Sequence, residues 1–97
     1  MVLKKILLLS ILTIGLLGSV ATTALAYEVN VGGGTWNYGN GKIYSWSNYY
    51  HKSKTHKSSV TVGNYTTSSD WISKNKWAKA SAKKSLWSTS QFYWNTK

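Results

Sequence analysis

All fourteen aromatic side chains of this chain lie beyond residue 26, in a stretch with no cysteine and no proline. A short chain without disulfides has to bury enough apolar surface to offset the entropy of ordering its backbone. Here the bulk available is rings: six Trp, seven Tyr and Phe92. Each buries about 150–250 Å², so the default role of a ring in this sequence is core, with a minority left for a ligand. Association into a homodimer would be another way to bury them.

The first 26 residues are of a different kind. Lys4 and Lys5 precede an apolar run from Ile6 to Val20, broken by Ser10, Thr13, Gly15 and Gly18. Ala24, Leu25 and Ala26 then give the small-x-small pattern that signal peptidase accepts, with Tyr27 after the cut. A membrane anchor needs roughly 20 apolar residues, more than this run supplies. The expectation is a cleaved signal helix over residues 1–26 and a secreted domain over residues 27–97. Ten lysines then face two acids, Glu28 and Asp70, for a formal net charge of +8. Lysine-only basic content and the lack of disulfides hint at a Gram-positive source exporting through the general secretory route.

Turn signals divide the secreted part into short pieces. Residues 27–34 end in three glycines and read as a flexible lead-in. Residues 35–38 read as a strand, followed by Asn40-Gly41, a pair that tolerates the positive φ of a tight hairpin. Across residues 42–50 Tyr44, Trp46, Asn48 and Tyr50 alternate with Ile43, Ser45, Ser47 and Tyr49, the period of a strand. Residues 51–57 form a basic connection, 58–62 a β-branched strand, Gly63-Asn64 a turn, and 70–72 a candidate short strand. Residues 74–87 fit a helix by propensity and a strand by alternation, and composition does not choose between them. Residues 90–95 close the chain as a strand. The sum is an all-β sandwich or barrel, with a core expected from Trp36, Tyr44, Trp46, Val60, Val62, Trp77, Ala78, Ala80, Phe92 and Trp94.

Chemistry by covalent or acid–base means has little to work with. Glycoside hydrolysis needs two placed carboxylates, and the secreted part has two acids in all, Glu28 in the lead-in. There is no thiol, no nucleophile-elbow motif and no third ligand to make a zinc site of His51 and His56. These two histidines read as solvent-facing loop residues. No enzyme, cofactor or metal is expected. The lysines fall in two clusters, Lys52, Lys54 and Lys57, then Lys74, Lys76, Lys79, Lys83 and Lys84. They serve solubility, attraction to an anionic target, or both. Export and the absence of arginine, the usual bidentate reader, argue against nucleic acid.

Several pieces in order carry a resemblance: Gly34-Thr35-Trp36, then Ser47-Asn48, then residues 49–62 reading YYHKSKTHKSSVTV, then Trp77-Ala78-Lys79-Ala80, then Phe92-Tyr93-Trp94-Asn95. Over nearly all of its secreted length the chain resembles the lactococcin 972 family of bacteriocins. The resemblance implies a β-sandwich of two small antiparallel sheets, which favours strand over residues 74–87. It also implies an unmodified protein that blocks septal wall synthesis in related Gram-positive cells by engaging lipid II, without forming pores. Lipid II, or another anionic wall precursor, is then the expected partner, with an anionic membrane surface as a further one. The candidate ligand-binding residues are Tyr50, His51, Lys52, Ser53, Lys54, Thr55, His56, Lys57 and Lys79. Two rival readings remain, a cationic membrane-disrupting protein and a non-toxic wall-binding module.

Overall fold

The computed structural model describes residues 4–9, 25–84 and 87–97. Its strands are β1 (Lys4–Leu9), β2 (Leu25–Val31), β3 (Gly34–Asn40), β4 (Tyr44–His51), β5 (His56–Val62), β6 (Tyr65–Ser68), β7 (Lys76–Lys83) and β8 (Ser90–Thr96). They form two four-stranded antiparallel sheets, ordered β1-β8-β5-β6 and β2-β3-β4-β7. The chain changes sheet after β1, after β4, after β6 and after β7. Glycine makes the tight hairpins possible, with φ of 61° and 84° at Gly32 and Gly33 and 62° at Gly63, values that L side chains rarely adopt.

The core lies between the sheets. Trp36 and Tyr38 from β3, Tyr49 from β4, Val60 and Val62 from β5, and Phe92 and Trp94 from β8 supply its bulk. Small side chains give these rings room: Ser45 and Ser47 on β4, Ala78, Ala80 and Ala82 on β7, Ser58 on β5 and Ser90 on β8 are all buried. The hydroxyls of these buried serines are paired, as burial demands. Ser47 Oγ accepts the indole N–H of Trp36 at 2.9 Å and donates to Tyr93 O at 3.1 Å. Ser45 and Ser90 share a hydrogen bond of 2.7 Å across the two sheets, and Ser58 Oγ lies 2.7 Å from Ser47 O. A polar seam therefore runs through an otherwise aromatic interior.

Several expectations are corrected. The flexible lead-in is strand β2, paired along its length with β3. Residues 74–87, by contrast, contain the strand that the resemblance favours, β7, since alternation puts alanine against the core rings and lysine in water. Residues 70–72 contribute a single bridge, between Ile72 and His56. Tyr44 is 52 % exposed and Trp77 41 % exposed, and Trp46 is half-buried. The alternation in β4 is as read, but its inward face is Ser45, Ser47, Tyr49 and His51. The rings of β3 and β8 already fill the space opposite Ser45 and Ser47, and only small side chains fit at those two positions. At the N-terminus Lys4–Leu9 is a strand against β8 rather than a helix; β8 otherwise ends its sheet with unpaired backbone groups, which a strand satisfies and a helix does not. Of the rest of the expected signal segment, Leu25 and Ala26 begin β2, and residues 1–3 and 10–24, Ala24 included, lie outside the described residues.

Candidate functional site

The connection from β4 to β5 turns on two histidines, and both point inward. His51 is 3 % exposed and His56 0 %, so they are not solvent-facing loop residues. His51 Nδ1 accepts the backbone N–H of Ser53 at 3.2 Å and of Lys54 at 3.0 Å. Its proton therefore sits on Nε2, which donates to Gly32 O at 3.0 Å. His56 lies between two carbonyls, Lys54 O at 2.8 Å from Nδ1 and Lys76 O at 2.7 Å from Nε2. The ring thus stands as a bridge between the backbone of its own turn and that of β7. Tyr49 meets both imidazoles edge-on, with centroids 6.1 and 5.7 Å away. The Ser53-Lys54-Thr55-His56 motif is thus an architectural corner tying β2, β5 and β7 together.

This corner divides the candidate ligand residues. His51 and His56 have no nitrogen free for a ligand, and the N–H groups of Ser53 and Lys54 are spent on His51. Thr55 is half-buried, its carbonyl accepting Lys97 N–H at 3.0 Å. Lys52, Ser53 and Lys54 keep exposed side chains. Lys57 sits on the other sheet, its ammonium 4.8 Å from the ring centroid of Trp71, which Lys97 approaches to the same distance. Lys79 is on the outer face of the β2-β3-β4-β7 sheet, opposite Asn48. The nine residues do not form one site.

Two of them do meet, Tyr50 and Lys52. Together with Asn30, Thr35 and the backbone of Gly32, Gly33 and Gly34 they line an open depression at the end of that sheet. Trp77, directly across from Tyr50 in the ladder, packs on its ring at 5.4 Å and 45°. Tyr50 Oη donates to Asn75 Oδ1 at 2.6 Å, and Asn75 N–H donates to His51 O at 2.7 Å. Asn75 adopts φ 70°, which Asn tolerates better than most residues. The result is an aromatic wall held by hydrogen bonds beside the exposed side chain of Lys52.

The floor under this depression is rigid. Tyr49 is fully buried and its hydroxyl donates to Val31 O at 2.7 Å. Burial pushes its phenol up to about 12, only partly opposed by a hydrogen bond from Gly34. A Cβ at Gly32 would stand 2.5 Å from a Trp94 ring carbon and 2.7 Å from the Tyr49 hydroxyl. Trp77, Asn75 and the glycine hairpin were absent from the expected site. The Gly32-Gly33 pair is itself a hairpin signal, and Trp77 alternates with the buried alanines, so both were within reach of the sequence. Asn75 was not, because its role depends on a left-handed turn.

Among the described residues no group of three His, Cys, Asp or Glu side chains could hold a metal ion. In comparison with known proteins, a family model described as a bacteriocin of the lactococcin 972 type matches residues 32–94. Neither the curated proteins nor the solved structures yield a match.

Proposed function

The chain belongs to the lactococcin 972 family of bacteriocins, and from that premise we propose that it halts septal wall synthesis in related cells by binding lipid II. Family membership makes it a secreted, non-enzymatic antibacterial protein of a Gram-positive bacterium. In this reading residues 1–26 are removed on export, and the working molecule starts at Tyr27 within β2. The observation that carries the target is the depression where Lys52 and Tyr50 meet the glycine hairpin, with Trp77 packed on the Tyr50 ring. Lipid II offers a pyrophosphate, which an exposed ammonium attracts, and sugars, whose C–H faces stack on rings. A lysine near an anionic membrane adds about 1 kcal/mol.

The test is competition. The secreted protein should arrest septation in a sensitive strain, and purified lipid II added to the medium should restore growth. Lys52→Ala and Trp77→Ala, both at exposed positions, should raise the inhibitory concentration about tenfold with unchanged thermal stability. Collapse of membrane potential at the inhibitory concentration, with no protection by lipid II, would instead support membrane disruption. Tight binding to walls without growth inhibition would support an adhesion module.

A further inference from the structure

We propose that the solvent face of the β2-β3-β4-β7 sheet is a second binding surface, for an anionic glycan whose rings carry acetamido and carboxylate groups. It adjoins the Lys52 corner, whose Tyr50 and Trp77 stand at the end of the same face, but does not rest on the lipid II reading. Cross-strand register fixes what this face displays. Tyr44 stands opposite Lys83, Trp46 between Gly39 and Ser81, and Asn48 between Asn37 and Lys79. Successive outward positions are about 7 Å apart along a strand and neighbours across strands about 5 Å. Rings, amides and ammonium groups thus fall in adjacent rows.

The central ring is fixed in place. The six-membered ring of Trp46 lies against Gly39 and Gly41: a Cβ would stand 2.8 Å from its Cζ2 at the first and 3.3 Å from its Cζ3 at the second. Its N–H donates to Asn37 Oδ1 at 2.9 Å, and Asn37 Nδ2 reaches Glu28 Oε1 at 3.5 Å. A bare glycine strip under a hydrogen-bonded indole makes a shelf with one ring face outward. Asn48, one row on, is half-buried, and its amide has no hydrogen-bond partner among the described residues. It leaves a donor and an acceptor beside the shelf.

Charge selects the occupant. Lys79 and Lys83 line the β7 side of the shelf, exposed and without a carboxylate partner among the described residues. The one acid on this face, Glu28, sits on β2 two strands from Trp46. A protein partner would favour a desolvated apolar centre depleted of charge, whereas here amides and ammonium groups interrupt the rings. A sugar ring matches the mixture: its C–H face stacks on indole, its hydroxyls and acetamido group pair with amides, and a carboxylate meets lysine.

The test titrates the secreted protein with three probes and follows tryptophan emission and heat. A hyaluronan octasaccharide supplies rings, acetamido groups and carboxylates. Chitohexaose supplies rings and acetamido groups without charge, and polyphosphate supplies charge without rings. The hyaluronan oligomer should bind with a shift in emission and weaken as salt is raised; chitohexaose should bind more weakly. Tyr44→Ala combined with Lys83→Ala, both exposed and outside the core, should weaken hyaluronan about five- to tenfold while lipid II still protects cells from that variant. No binding of hyaluronan, equal binding of chitohexaose, displacement by polyphosphate at equal charge, or an unaffected double variant would each overturn the proposal. Loss of lipid II protection in the unmodified protein would instead strike the reading of the Lys52 corner alone.

Discussion

His56 shows how a residue can look like a ligand and act as a joint. Its ring stands between Lys54 O and Lys76 O, so truncation opens a cavity and strands two carbonyls. His56→Ala should cost about 3 kcal/mol in urea unfolding. Lys54→Ala, exposed on the same turn, should stay within about 0.5 kcal/mol. Equal effects at the two positions would contradict the architectural role of the motif. Tyr49 carries a pH signature of the same buried corner. Its phenol titrates at about 12 in the folded protein against an ordinary value of 10.0. Between those values the unfolded chain has lost a proton that the folded chain retains, so stability is intact below pH 10 and falls as pH rises towards 12. Tyr38 is raised too, by burial and then by the Tyr27 phenol. Spectrophotometric titration should therefore find late-ionising tyrosines, and Tyr49→Phe should remove one of them and flatten the alkaline slope of stability.

At the scale of the element, strands were more legible than their orientation. The alternation over residues 42–50 marks β4 without ambiguity, yet period two alone does not say which face is inside. Counting rings favours the Tyr44 and Trp46 face. The fold buries the serine face, because Trp36, Tyr38, Phe92 and Trp94 arrive from other strands and the hydroxyls find partners that exist only in the assembled sandwich. β7 was undecided for a related reason: alanine and lysine are good helix formers, and pairing with β4 overrides that preference. The candidate site suffered most. The Tyr50 and Lys52 positions are readable as an aromatic next to a cation, whereas the burial of His51 and His56 depends on Gly32 and Lys76, each about twenty residues away, as well as on the intervening Lys54. The β2–β3 hairpin gives the clearest check at this scale. Gly32 combines φ 61° with contact against Trp94 and Tyr49, so Gly32→Ala should destabilise by about 2 kcal/mol or more, measured as a fall in Tm.

For the whole molecule, the edges of the sheets matter as much as their faces. In the full chain Lys4–Leu9 pairs with β8 from Asn95 to Ser90. A chain that begins at Tyr27 lacks that partner, and its β8 amides on the outer side should exchange hydrogen quickly, whereas those bonded to β5 stay protected. Comparing full-length and shortened protein by hydrogen exchange measures this directly; equal protection of β8 in both would mean that another element takes the edge.

The two outer faces also differ in kind. One bears Tyr44, Trp46, Tyr50, Trp77, Lys79 and Lys83; the other bears Lys57, Ser59, Thr61, Thr66 and Tyr93 around a shallow groove. With serine bonds pinning the sheets to each other, these faces cannot exchange or slide. The molecule consequently has a front and a back, and the proposed surfaces, all on the front, would have it meet its target as a tile does, with the back turned to the medium.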